Sequence, residues 1–202
     1  MIEEEHGGDG TSPTSACATL RRNVRDMDDL AGQLLSSSSL QDGHAPLRAA
    51  LLSHGRLLQD MTVSFRPLAA QKGLEFRTEP YPDWHDVVID ESKVRQIAAN
   101  LLGNAIKYTS KGWVHMLVRP PDGQHWSFAI EDTGCGMTSE EAKRVFEEYY
   151  RVSATAHLPG TGLGLAICKG LVERLDGTIA LRSEPGKGTR VEVRLPVMVR
   201  RC

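Results

Sequence analysis

Three stretches of this 202-residue chain set polar atoms and glycines at spacings suited to gripping a ligand. In "NLLGNAIKYT", residues 100–109, Asn104 and Lys107 follow Asn100 at offsets of four and seven. Those offsets are about 400° and 700° of helical turn, so the three side chains share one narrow sector, which Lys93 and Gln96 extend toward the N-terminus. Ile97, Leu101 and Ala105 lie around the cylinder, where they can face a sheet. A solvated face would explain such a stripe by itself. Asparagine is a poor helix filler, however, so two of them aimed one way ask for a ligand. Downstream, "EDTGCGM" places Asp132 at the end of an apolar strand, ahead of Gly134 and Gly136. A carboxylate there can accept from an exocyclic amine, and the glycines let backbone approach a flat ring; an ordinary Asx turn is the plainer alternative. Finally, "PGTGLGLAICKGLVERL" runs Gly160, Gly162 and Gly164 into a helix whose free N–H groups and dipole attract phosphate oxygens. It lacks the Lys-Ser/Thr of a Walker loop, and no strand precedes it as a dinucleotide-binding fold requires.

Those residues need elements to position them. The pattern predicts helices over 91–109, 138–148 and 163–175, the middle one opening with the capping-box pair Thr138 and Glu141. "LEFRTE", "DVVID", "WVHMLVR", "WSFAIED", "TIALRSE" and "RVEVRLPV" read as strands, with "PPDGQ" as a hairpin turn. Ahead of them, a helix within 45–71 carries Leu51, Leu57, Leu58, Met61, Phe65 and Leu68; Gly55 blurs its first turns and Gly73 stops it. Leu20, Val24, Met27, Leu30 or Ala31, and Leu34 form a narrow stripe on a helix over 15–42 that wants a partner helix. Residues 1–14 lack the apolar atoms to offset ordering and are expected to be disordered. Alternating strands and helices make the class α+β, a two-layer α/β sandwich over 43–202 preceded by the long helix.

Composition excludes several roles. A formal charge of -2 provides no global basic field for nucleic acid, and no apolar run approaches the roughly 18 residues that span a bilayer. The acidic start "MIEEEHGGDG" is not a signal peptide. Cysteines at 17, 135, 168 and 202 form neither a disulfide pattern nor a C-x-x-C knuckle, so a reducing cytosol is expected.

The ordered set of an asparagine-bearing helix, D-x-G-x-G, "VFEEYYR", G-x-G-x-G and "GTIALRSEPGKGT" resembles the N, G1, F, G2 and G3 boxes of the sensor histidine kinase catalytic domain. That domain, HATPase_c, belongs to the GHKL superfamily shared with heat-shock chaperone 90, gyrase B and MutL. The resemblance covers about 43–197 and implies the Bergerat ATP-binding fold, with ATP and Mg2+ as its ligands. It matches Asn104 to the magnesium ligand, Asn100 to its polar neighbour one turn earlier and Lys107 to the phosphate-contacting lysine; these three are the catalytic candidates. Tyr108 matches the aromatic beside the base, Asp132 the adenine-binding carboxylate, and Gly134 and Gly136 the glycines of its loop. Phe146 and Arg151 fit the F box and the base of an ATP lid over 151–161. Gly160, Thr161, Gly162, Leu163 and Gly164 match the far hinge, while Gly186, Gly188 and Thr189 match the last box.

The superfamily's hydrolases place a glutamate, a general base, where Asn100 stands here. Asparagine cannot take that proton, so transfer to another group is expected, making the chain a protein-histidine kinase portion. A nucleotide-binding regulatory module acting through protein contacts is the alternative. None of the seven histidines has an adjacent acid and a following proline, the context of a phosphoacceptor in this family. No acceptor is therefore identified, and the isolated chain is expected to be inactive. The 15–42 helix resembles the returning helix of a dimerisation hairpin. The implied partners are an acceptor-histidine helix, a response regulator or receiver domain, and a second copy in the full-length protein. The implied location is cytoplasmic, either free or as the cytoplasmic part of a larger membrane-bound sensor.

Overall fold

The computed structural model describes residues 47–79, 86–119, 122–156 and 158–197. The expectations for 1–14 and for the 15–42 helix lie outside them. In chain order the elements are β1 (Ala50–Leu52), α1 (His54–Gln71), β2 (Glu75–Glu79), β3 (Val87–Ile89), α2 (Glu91–Tyr108), β4 (Trp113–Arg119), β5 (His125–Asp132), α3 (Ser139–Arg144), a 3-10 turn (Ser153–Thr155), α4 (Gly164–Arg174), β6 (Thr178–Glu184) and β7 (Gly188–Pro196). Five strands form one sheet in the order β2-β4-β5-β7-β6, parallel between β2 and β4 and antiparallel elsewhere.

Alternation gives that sheet one apolar face. Val114, Met116 and Val118 of β4, Trp126, Phe128 and Ile130 of β5, and Val191, Val193 and Leu195 of β7 are all buried. Packed on them are Leu57, Leu58 and Met61 of α1, Ile97, Leu101 and Ala105 of α2, and Ile167, Leu171 and Val172 of α4. The opposite face is polar: Arg190 pairs with Glu131 and Glu192, and the Arg77 guanidinium lies 4.8 Å from the Trp113 ring centroid. The chain is thus the two-layer sandwich its pattern predicts.

Several boundaries differ from expectation. "ALL" at 50–52 reads as the start of a helix, yet it pairs antiparallel with β3 through Ala50↔Ile89 and Leu52↔Val87. Asp90 anchors this junction, because its carboxylate accepts from Arg48 N (3.0 Å), Ser92 Oγ (2.6 Å) and, as the N-cap of α2, Lys93 N (3.3 Å). Burial alone would raise the Asp90 pKa, but these donors outweigh it and hold the carboxyl below its usual value. The helix expected over 138–148 ends at Arg144. Its capping box is present, with Thr138 Oγ1 accepting from Glu141 N (3.2 Å) and Glu141 Oε2 accepting from Thr138 N (3.0 Å). The chain then turns through Tyr149, whose φ of 63° no right-handed helix permits.

Among the histidines, His54 is fully buried and meets the Trp126 ring edge-on at 4.8 Å between centroids. Burial lowers its pKa from 6.5 to about 4, against the opposing pull of Asp86. Between those values the unfolded chain binds a proton that the native chain does not. Stability therefore rises with pH through that window and is lost as pH falls from about 6.5 toward 4. The gap corresponds to about 3 kcal/mol. Urea denaturation at pH 7.5 and pH 4.5 is expected to show a smaller acid loss in His54→Leu than in the parent. Equal losses would mean that His54 does not set the acid limit.

Candidate functional site

One cleft opens at the end of the sandwich, bounded by α2, the C-terminal end of β5, the start of α4 and the segment between α3 and α4. Helix α2 turns Val94, Ile97, Leu101 and Ala105 into the core, which leaves Asn100, Asn104 and Lys107 half-buried along the cleft. Behind Asn100 the Cys168 thiol of α4 donates to Ile97 O (3.9 Å); burial pushes this thiol up to about 12, against the pull of the Asn100 side chain, and so keeps it protonated. Asn104 lies where α4 begins, with its Nδ2 3.6 Å from the point a Gly164 Cβ would occupy.

Across the cleft stands Asp132. Its Oδ1 accepts from Gly134 N (2.8 Å) and Thr189 N (3.3 Å), and no donor among the described residues reaches Oδ2. Burial raises its pKa, and the two N–H groups oppose that rise. The loop after it is locked to the β6–β7 turn: Gly186 N donates to Cys135 O (2.7 Å), and Ser183 Oγ lies 2.9 Å from Thr189 Oγ1. Gly136 (φ 63°) and Gly188 (φ 102°) make this approach possible. A Cβ on the first would fall 1.8 Å from Glu184 O, and on the second 1.9 Å from Asp132 O.

The third wall is the segment from Tyr150 to Gly162. Arg151 Nη2 donates to Ala156 O (2.5 Å) and to Leu158 O, folding the segment on itself, and the Arg144 guanidinium lies 4.3 Å from the Tyr150 ring centroid. Lys107 Nζ, 4.8 Å from the Tyr108 ring centroid, reaches to within 2.5 Å of where a Gly160 Cβ would stand. Gly162 (φ 78°) presses against the Tyr149–Tyr150 backbone.

Of the residues singled out from sequence, Asn100, Asn104, Lys107, Tyr108, Asp132, Gly136, Arg151, Gly160, Thr161, Gly162, Gly164 and Thr189 line this one cleft. Gly134, Phe146, Leu163, Gly186 and Gly188 do not. Gly134 is buried behind the wall against Tyr108 O and Asp132 Oδ1, while Leu163 belongs to the core and its N–H bonds Thr161 Oγ1 (3.2 Å). The pattern reading missed the apolar lining, Ile130, Met137, Val145, Leu165, Leu181 and Val191. Strand parity could have found part of it, since Ile130 and Val191 lie two residues from Asp132 and Thr189 on the same faces. It missed Thr109 too, whose buried Oγ1 has no hydrogen-bond partner among the described residues and lies beside Gly134.

A two-layer sandwich with a half-buried carboxylate facing a polar helix stripe, closed by a glycine-flanked segment, is the ATP-binding domain of sensor histidine kinases. The chain belongs to the family described as Histidine kinase-, DNA gyrase B-, and HSP90-like ATPase, which it matches over residues 89–199. It is 38% identical over 185 residues to the Virulence sensor protein BvgS of Bordetella bronchiseptica, an alignment covering 86% of this chain and 14% of that protein. To the sensor histidine kinase RcsC of Escherichia coli it is 33% identical over 176 residues, covering 83% of this chain and 18% of RcsC. The crystal structure of ShkA full-length in complex with AMPPNP superimposes with a TM-score of 0.77 at 29% identity, over 93% of this chain and 39% of that one. Acinetobacter baumannii histidine kinase AdeS shares the fold, with a TM-score of 0.76 at 21% identity over 96% and 89% of the two chains. This chain therefore spans 14% to 18% of the length of those two curated relatives. Among its described residues no helix is long and apolar enough to cross a membrane.

Proposed function

We propose that this domain binds ATP with Mg2+ and presents the γ-phosphate to a histidine carried on a separate helix. The observation that carries the reading is the convergence of Asn100, Asn104 and Lys107 with Asp132 and the Arg151–Thr161 segment on one cleft. Asp132 accepts from the adenine amine, and the apolar lining holds the ring. Lys107 neutralises phosphate charge, and the Arg151–Thr161 segment closes over the triphosphate and excludes water. Asn100, lacking a basic oxygen, activates no water, which favours transfer over hydrolysis.

The donor set suits magnesium. Mg2+ keeps several waters and is usually held through one or two protein oxygens and the substrate phosphates, so the single amide oxygen of Asn104 beside a triphosphate is an adequate anchor. When bound, the ion supplies charge neutralisation on the phosphates. Acceptor helix, response regulator and homodimeric state belong to this proposal by relationship to larger sensor proteins.

Fully buried His54 cannot meet a phosphate in the cleft, none of the other six histidines has the adjacent acid and following proline of an acceptor, and a misplacement of about 1 Å already costs on the order of a hundredfold. The chain alone is therefore expected to bind ATP and accumulate no phosphohistidine. Adding a hairpin whose histidine adjoins a carboxylate should give acid-labile, alkali-stable label from γ-labelled ATP. Asn104→Asp changes the charge and geometry at the metal anchor but not the adenine side. It should keep ATP affinity within about threefold while transfer falls about a hundredfold or more. ATP binding without label on any hairpin would instead favour the nucleotide-sensing module.

A further inference from the structure

We propose that Lys72, at the end of α1, is a positioning residue that fixes the last turn of α2 and through it the phosphate-contacting Lys107. The inference rests on the nucleotide reading above. Lys72 caps its own helix with a locked backbone: its N–H and that of Leu74 donate to Ala69 O (3.0 Å each), and Gly73 N donates to Ala70 O (2.9 Å). From that fixed point the side chain crosses to α2, where Nζ donates to Ile106 O (2.7 Å), Lys107 O (3.0 Å) and Thr109 O (2.9 Å). An ammonium has three protons, and here each has one carbonyl.

Those carbonyls are among the groups at a helix C-terminus that no intrahelical N–H can reach. Ala105 O is taken by Thr109 N (3.1 Å), and Tyr108 O accepts from Cys135 N (3.4 Å) on the adenine side. The end of α2 is thus held from two directions, by the Asp132 loop within and by Lys72 outside. Among the described residues the outer hold is the Lys72 ammonium, beside which Gly103 faces open space and borders a groove with Lys72, Ile106 and Phe65. Losing the ammonium would leave three carbonyls to water and free a terminal turn to fray. Lys107 starts from that turn, with its carbonyl in the clamp and its Nζ beneath Gly160. Asp132 stands on β5, and Tyr108 in the same turn keeps a separate inner hold through Cys135 N, so the adenine side depends on Lys72 far less.

A plain helix cap would affect stability alone, whereas a positioning residue affects the phosphate part of binding. The experiment compares ATP and adenosine affinities of the full chain by calorimetry in the parent, Lys72→Met, Lys72→Arg, Lys107→Met and the Lys72→Met/Lys107→Met double variant. Lys72→Met should weaken ATP about tenfold and adenosine less than about twofold, with little further ATP loss when Lys107 is already Met. Lys72→Arg should be intermediate, since a planar fork reproduces a three-carbonyl tripod only in part. Unchanged ATP affinity, an equal loss for adenosine, or simple additivity with Lys107→Met would overturn the proposal. If circular dichroism shows Lys72→Met unfolded, Lys72→Arg decides by the same comparison. A parent chain that binds no ATP would fail at the nucleotide reading itself and take this inference with it.

Discussion

Asp132→Ala is expected to reduce ATP affinity by at least about a hundredfold, the largest effect of any single side-chain truncation in the cleft. The carboxylate is the acidic side chain lining the apolar slot, and a charge-assisted hydrogen bond lost from a buried site costs about 2–3 kcal/mol or more. Selectivity should fall with affinity, because an adenine amine without its acceptor no longer differs in favour from other purine edges. The fold should survive, since Asp132 ends β5 and its two protein partners are loop and strand-start N–H groups. Calorimetry with ATP and GTP, beside a thermal melt, checks all three. Asp132→Asn should fall between, as it keeps one acceptor but loses the charge. Parental ATP affinity in the Ala variant would move the base elsewhere.

The second large effect is on folding. Gly136→Ala and Gly186→Ala both place a methyl on a residue of positive φ, at 63° and 74°, so both share a left-handed penalty of about 1 kcal/mol. They differ in space. At Gly186 nothing lies within 4 Å, whereas at Gly136 the new Cβ falls 1.8 Å from Glu184 O and 2.6 Å from its carbonyl carbon. Backbone cannot yield as a flexible side chain would, so the Asp132 loop must part from the β6–β7 turn. Gly136→Ala should therefore lose about 3 kcal/mol or more along with most ATP binding, against about 1 kcal/mol for Gly186→Ala. Paired urea titrations measure this difference. Equal destabilisation of the two would show that the close packing at Gly136 is not what constrains it.

Those glycines also mark where sequence reading ends. The periodicity of α2 and β5 placed Asn100, Asn104, Lys107 and Asp132 on the faces that line the cleft, because the side of an element follows from residue spacing alone. Element type was legible for the same reason in every strand of the main sheet. Strand β1 was not, since "ALL" carries no period of its own and is a strand only because β3 lies beside it. The early end of α3 was not legible either: the helix stops at Arg144 with Val145 still in the helical region, and neither glycine nor proline marks that point or the positive φ of Tyr149 beyond it. Gly134 and Leu163 entered the site by motif order yet lie behind its wall, a matter of depth that one-dimensional spacing does not encode. The three-carbonyl seat of Lys72 pairs residues 34 to 37 positions apart and leaves no local trace.

The wedge of Gly162 against Tyr149 and Tyr150 makes the segment between them a compact Ω-like excursion, anchored where its two ends touch. Closure entropy for such a loop grows only logarithmically, by about 0.6 kcal/mol for each doubling of length. Insertions between Val152 and Leu158 should accordingly be thermodynamically cheap, whereas any side chain at 162 pries the anchor apart. The excursion can thus change in length and composition independently of the cleft floor, so under the nucleotide proposal two chains with the same floor would differ in how long they retain a triphosphate.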